Sequence, residues 1–292
     1  MRTFKIPNII ILIAVITLVG FIYQSYLNNS YQSEEGQRTV GTEETASEQQ
    51  MKEPEIKPMP ESVRKVGPTI FIHGYNGGLR TFEKMLKDFS ERDDRTEILT
   101  ITVQEDGKLK YQPPNRMDGK IPLVQVIFIN RNASFENQLV WIKFVVREVA
   151  DIYGADAINL VGHSMGGVIA TKYVLETNED TSLPKVEKLV TLASPIKGWI
   201  YFTWNNPAAI DLQPTSAAIQ KLQSQKDKFP QDVKVFSAYG FEDDVVSSES
   251  ATGLQEFTKN IMISSYNATH KSIRQNTDVF NDVYSFLRGW KY

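Results

Sequence analysis

Gly162-His163-Ser164-Met165-Gly166 constrains this chain more than any other stretch, because it separates two kinds of periodicity. Residues 156–161 form a short apolar run of strand character, and residues 167–175 repeat their apolar side chains at helical spacing. A chain that turns from strand to helix around a serine holds that serine in a strained conformation. The helix must also pass close to the strand with no side chain between them. Glycines on both flanks meet that demand. Such a turn presents the Ser164 Oγ at the carboxyl end of a sheet and leaves the Met165 N–H outward at a helix N-terminus.

The chain has three histidines, and each stands at an interpretable place. His73 follows a strand-like run at 69–72 and opens the segment His73-Gly-Tyr-Asn-Gly-Gly78. His163 precedes the serine, a position suited to packing or hydrogen bonding. His270 lies 106 residues after Ser164, on a segment ahead of a final amphipathic helix carrying Val279, Val283, Phe286 and Leu287. An imidazole that activates a serine needs an acid to hold its tautomer. Residues 233–239 predict a late strand, and Glu242, Asp243 and Asp244 follow it directly, at the carboxyl end of the same sheet. Asp243 and Asp244 compete for the role. Asp278 and Asp282 come after His270 and are worse placed.

A bare Gly-x-Ser-x-Gly arises by chance in on the order of one chain in ten of this length, so the context carries the weight. Together the elbow, the His-Gly segment and the late histidine resemble the lipase-like α/β-hydrolase superfamily. A narrower likeness is to a family of Gram-positive bacterial cell-surface hydrolases of unassigned substrate. It rests on His73-Gly-Tyr-Asn-Gly-Gly78, the run from Pro122 to Asn130 ending in Phe128-Ile-Asn130, Gly162-His-Ser-Met-Gly-Gly167, and Ala193-Ser-Pro195 with Gly198.

This resemblance covers residues 63–292 and implies an α/β-hydrolase fold, a mostly parallel sheet with helices on both faces. It implies Ser164 as nucleophile, His270 as base and an acid that lies between them in the chain. The family pattern Asp-Gly-Val-Val sets the acid two residues before a valine pair, which favours Asp243; Asp244 fills the glycine position and stays the alternative. Backbone N–H groups of Met165 and Tyr75, with Asn76 as a second choice for the latter, would hold an oxyanion. The activity implied is hydrolysis of carboxylic esters through an acyl-enzyme, with no metal or organic cofactor. Thioesters and amides use the same machinery. An acyltransferase with the same triad is one alternative, and a catalytically silent surface binding module is another.

Length and charge narrow the setting. The 292 residues allow one sizeable domain with appendages, and a net charge of −3 gives no sign of nucleic-acid binding. There is no cysteine, hence no disulfide. Arg2 and Lys5 precede an uncharged apolar run from residue 6 to residue 23, 18 residues against the ~20 that span a bilayer. The next basic residue is Arg38, so the positive side is N-terminal and the remainder is expected outside the cytoplasm. No small-residue cleavage site follows, which favours a retained signal anchor over residues 1–23 rather than a cleaved and secreted form. Residues 24–62, rich in Gln, Ser, Glu and Thr and ending in Pro54, Pro58 and Pro60, predict a disordered linker.

From residue 63 onward, strand and helix patterns alternate, as in a parallel α/β sheet. A polar excursion is expected at 104–120 and a cap at 199–231. Trp199, Tyr201, Phe202 and Trp204 would either line an acyl cleft or pack the cap down. The expected substrate is a small-molecule, lipid or cell-envelope ester, and the chain is expected to act as a monomer.

Overall fold

The computed structural model of the protein describes residues 67–112, 120–200 and 205–289. The expected anchor (1–23) and linker (24–62) lie outside the described residues, as do Tyr201, Phe202 and Trp204. All described residues belong to one compact unit. Among the described residues no helix is long and apolar enough to cross a membrane.

Eight strands form one sheet: β1 Thr69–Ile72, β2 Thr96–Val103, β3 Leu109–Lys110, β4 Ile121–Phe128, β5 Ala157–His163, β6 Lys185–Leu192, β7 Lys234–Gly240 and β8 Ile261–Tyr266. Their spatial order is β3-β2-β4-β1-β5-β6-β7-β8. Only the two-residue β3 runs antiparallel, against β2; every other neighbouring pair is parallel. The helices are α1 Glu83–Arg92, α2 Phe135–Tyr153, α3 Met165–Thr177, α4 Pro207–Asp211, α5 Ala217–Ser224, α6 Ser248–Ala251 and α7 Thr277–Arg288.

A parallel sheet must be covered on both faces, and side-chain alternation divides the core accordingly. Ile70 and Ile72 of β1 point to one face, with Val124, Val126 and Phe128 of β4 and the buried stripe of α2. Phe71 points to the other, with Leu123, Val190, Phe236 and the inner sides of α1 and α7. In α2 the stripe expected from periodicity, Leu139, Ile142, Val146 and Val149, is buried to 2% exposure or less. Each such side chain contributes about 1.5–3 kcal/mol of hydrophobic stabilisation.

The sequence pattern missed two strands. The short β3 sits inside the segment expected to be an excursion. β8 is an edge strand with a half-exposed face, so Ile261-Met-Ile263 carries little alternation. Residues 199–231, expected as a cap, include α4, α5 and a 3₁₀ turn at Lys226–Lys228 among the described residues. This insertion is fastened to the sheet domain. Ala208 N–H donates to Asn132 O (3.1 Å), and Phe135 N–H at the start of α2 donates to Asp211 Oδ2 (2.7 Å). Gln223 Nε2 reaches Ile196 O (2.7 Å), and Lys221 pairs with Glu176 (3.1 Å).

Helix α3 packs closely against the strands beneath it. A Cβ on Gly162 would fall 2.3 Å from Gly167 N, and one on Gly166 would fall 2.1 Å from Ile72 O. Both obstacles are backbone, of α3 in the first case and of central strand β1 in the second, and cannot step aside. Gly154 differs: it closes α2 at φ +60° with nothing within 4 Å of a Cβ. Gly154→Ala should therefore cost only the left-handed backbone strain, about 1 kcal/mol. Gly166→Ala should cost about 3 kcal/mol or more through overpacking, or prevent folding. Urea unfolding of the two variants checks this; equal midpoints would refute the close-approach argument.

Candidate active site

Ser164 stands between β5 and α3 with φ +54° and ψ −128°, a region costly for any residue with a side chain. Its N–H donates to Leu192 O at the end of β6 (2.8 Å), which ties the turn to the neighbouring strand. Met165 is the first residue of α3, so its N–H has no partner within the helix and points out of the N-terminus.

Opposite Ser164, the segment after β1 bends back on itself: Gly77 N–H donates to Gly74 O (2.9 Å), with Asn76 at φ +53°. A Cβ on Gly74 would lie 2.8 Å from Ser164 Cβ and 3.4 Å from its Oγ. Only glycine allows this backbone so near the hydroxyl, and Tyr75 is the next residue. The Tyr75 hydroxyl accepts a hydrogen bond from Asn206 Nδ2 (2.5 Å), joining the turn to the start of α4. His73 holds the base of the turn. Phe128 N–H donates to His73 Nε2 (3.1 Å), so the proton sits on Nδ1 and is directed to Gly74 O (2.8 Å). Burial pushes this imidazole down to about 4, with the Arg131 charge adding to the effect.

His270 lies on the loop after β8, between the serine and an acid. Its Nε2 is 3.0 Å from Ser164 Oγ, and its Nδ1 is 2.9 Å from Asp243 Oδ2. An ionised carboxylate only accepts, so Nδ1 carries the proton, and a neutral ring offers Nε2 as acceptor for the serine hydroxyl. Asp243 Oδ1 is occupied by the N–H groups of Val245 (2.9 Å) and Val246 (2.8 Å). Burial raises the Asp243 pKa, but the His270 hydrogen bond and charge and the two backbone donors outweigh it and hold the carboxyl below its ordinary value. Asp244, the alternative by sequence, is exposed and makes no contact with His270.

His163 was expected to serve packing or hydrogen bonding, and its partner is informative. Its Nε2 donates to the backbone carbonyl of His270 (2.8 Å), and the two rings lie 5.0 Å apart. The residue before Ser164 therefore fixes the loop that carries the His270 imidazole. Burial, then the neighbouring His270 charge, push His163 down to about 3.

Two contacts had no strong sequence signal. Asn206 shows none. Gln138, fully buried in the apolar stripe of α2, donates to Ala133 O (2.7 Å) and lies 3.9 Å from Met165 Sδ. A glutamine in that stripe was the clue. Trp199 is half-buried beside a cavity of about 290 Å³ that reaches Val245 and Ser250.

Residues 57–290 match the family model described as alpha/beta hydrolase of unknown function, DUF915. The chain belongs to this family. The α/β-hydrolase fold expected from the elbow is thus the fold observed. The lin2722 gene product of Listeria innocua is similar at 22% identity and a TM-score of 0.66, covering 77% of this chain and 95% of its own. A Lactobacillus plantarum protein named as a cell surface hydrolase matches at 20% identity and a TM-score of 0.61, covering 77% of this chain and 91% of its own. Est1E of Butyrivibrio proteoclasticus matches at 15% and a TM-score of 0.51, covering 80% and 93%. No curated protein matches the chain. At these identities the solved structures establish fold alone.

His73 and His163 give the stability of this α/β hydrolase a pH dependence. Both have folded pKa values below the ~6.5 of an unfolded histidine, so below that pH the unfolded chain binds protons the folded one refuses. Stability is complete above ~6.5 and declines as pH falls toward 4 and 3. Asp243, held below its ordinary value, adds a contribution that begins to be lost as pH falls below ~4, the unfolded carboxyl value. From pH 7 to pH 5 the loss should be about 2 kcal/mol per histidine. His163→Gln keeps a donor near the Nε2 position but no titration, so its urea midpoint should fall about half as much as the parent's. Parallel declines would refute the assignment.

Proposed function

We propose that this α/β hydrolase is a serine hydrolase of carboxylic esters, with Ser164 as nucleophile, His270 as general base and then acid, and Asp243 as the orienting carboxylate. The observation that carries the reading is the unbroken series Ser164 Oγ, His270 Nε2 at 3.0 Å, His270 Nδ1 and Asp243 Oδ2 at 2.9 Å. Ser164 attacks the ester carbonyl while its proton passes to Nε2, and the imidazolium that forms is stabilised by Asp243. The carbonyl oxygen becomes an oxyanion held by the N–H groups of Met165 and Tyr75. Collapse expels the alcohol, which takes the proton from Nε2 and leaves an acyl-Ser164. Water, deprotonated by His270, attacks the acyl carbon, and the acid is released as Ser164 recovers its proton.

In this reading residues 1–23 anchor the enzyme with its N-terminus in the cytoplasm, and 24–62 tether the catalytic domain outside. The uncharged run between Lys5 and Tyr23 supports this, as does the cell-surface name borne by the Lactobacillus plantarum relative. Residues 199–231 would cap the site.

Fluorophosphonate labelling of the protein beside Ser164→Ala tests the nucleophile. The parent should label and the variant should not; a folded parent that stays unlabelled refutes the reading. Asp243→Asn should lower kcat/KM on a short acyl ester by roughly three to four orders of magnitude, by spoiling the imidazole tautomer. Asp244→Asn should change it only a few-fold. Equal losses in steady-state kinetics would return the acid's identity to the pair.

A further inference from the structure

The cations around the site are distributed unevenly. The loop after β7 carries Glu242, Asp243 and Asp244, whereas the turn after β1 gathers arginines. A Cβ on Gly78 would lie 3.8 Å from the guanidinium carbon of Arg131. Three residues on, Arg274 Nη1 donates to Thr81 O (3.4 Å). Arg80 lies within the same Leu79–Thr81 3₁₀ turn and is exposed. Three guanidinium groups thus belong to one short turn, four residues after the glycine that abuts Ser164.

None of the three has a carboxylate partner among the described residues. Several other part-buried cations are neutralised: Lys172 by Glu136 (2.9 Å) and Glu176 (2.5 Å), Arg288 by Asp93 (3.4 Å), and Lys197 by Glu256 (2.7 Å). Arg274 is half-buried, its Nε is buried with no hydrogen-bond partner, and burial lowers its pKa. Both charges reach inward, Arg131 to His73 and Arg274 to His163. A cluster of unneutralised guanidinium groups at a site's rim attracts an anion.

We propose that this turn is an anion subsite, and that the ester substrate carries a phosphate on its alcohol portion, as in an acylated glycerol phosphate. The substrate assignment rests on the ester-hydrolase reading. A phosphate monoester has three free oxygens and can accept from two guanidinium groups at once, whereas a carboxylate offers two coplanar oxygens. The spacing also fits. β4, which leads to Arg131, is two strand spacings from β5, about 10 Å. Six bonds separate the acyl carbon from phosphorus in an acyl glycerol phosphate, roughly 7 Å when extended. A hydrogen bond from a guanidinium covers the remainder.

The test compares kcat/KM of the full-length protein in neutral detergent on 1-butyrylglycerol and 1-butyrylglycerol 3-phosphate, then on the corresponding oleoyl pair. The phosphorylated ester should be preferred by about 10-fold or more, and Arg131→Gln and Arg274→Gln should each reduce that ratio by about 10-fold. Arg274→Lys guards against a folding defect in the half-buried variant; Arg131 is exposed, so its substitution tests the subsite by itself. Preference in both pairs supports a soluble or polymer-borne glycerol phosphate, and preference in the oleoyl pair alone supports a lipid headgroup. A ratio near one, or one unmoved by either Gln substitution, overturns the subsite while leaving ester hydrolysis intact. Calorimetry of glycerol 3-phosphate binding to Ser164→Ala covers the case in which neither ester is cleaved. Binding abolished by Arg131→Gln then supports the subsite although the hydrolase reading fails, and absence of binding overturns it.

Discussion

The close approach of α3 to β5 and β1 is the constraint on which the rest of this molecule depends. Gly162 and Gly166 let helix and strand backbones come to distances at which a Cβ would overlap backbone atoms. With the helix so near, the intervening residue is forced to φ +54°, and its side chain stands clear at the sheet's carboxyl edge. The same geometry sets the Met165 N–H at the helix N-terminus beside that side chain. Gly74 repeats the device from the opposite direction, bringing the turn after β1 against Ser164.

Around this point the structure spends polar interactions on fixing backbone. His73 bridges β4 and its own turn, His163 holds the carbonyl of His270, and Asp243 binds two N–H groups before it meets the imidazole. All three histidines are buried, and His73 and His163 are kept neutral and serve as hydrogen-bonding struts. Only His270 faces the serine. The charges are divided in the same way: Asp243 on the β7 side meets the His270 ring, and Arg131 and Arg274 reach the turn after β1 with no carboxylate partner among the described residues.

Elements with strong periodicity could be read from the residues alone. The stripe of α2 predicted its span of 135–153, and the apolar runs predicted β1, β5, β6 and β7 to within a few residues. Edge β8 escaped because a strand with one face half-exposed and a single neighbour needs little alternation. The order of Ser164, Asp243 and His270 along the chain was visible, but whether Asp243 or Asp244 faces the imidazole was not. Adjacent residues on a turn point in different directions, and no periodicity fixes which one turns inward.

The sequence by itself determined the elbow, the alternation that builds a parallel α/β sheet and the apolar N-terminal run. Each of these depends on local sterics or on the spacing of neighbours along one segment. The tertiary structure decided what depends on residues far apart in the chain. It set Asp243 against His270 across 27 positions, His163 under the His270 carbonyl across 107, and Asn206 on Tyr75 across 131. It also left Arg131 and Arg274 beside one turn with no carboxylate partner among the described residues. A hydrogen bond or a shared field acts over a few ångströms of space, and only the folded sheet brings those groups within that range.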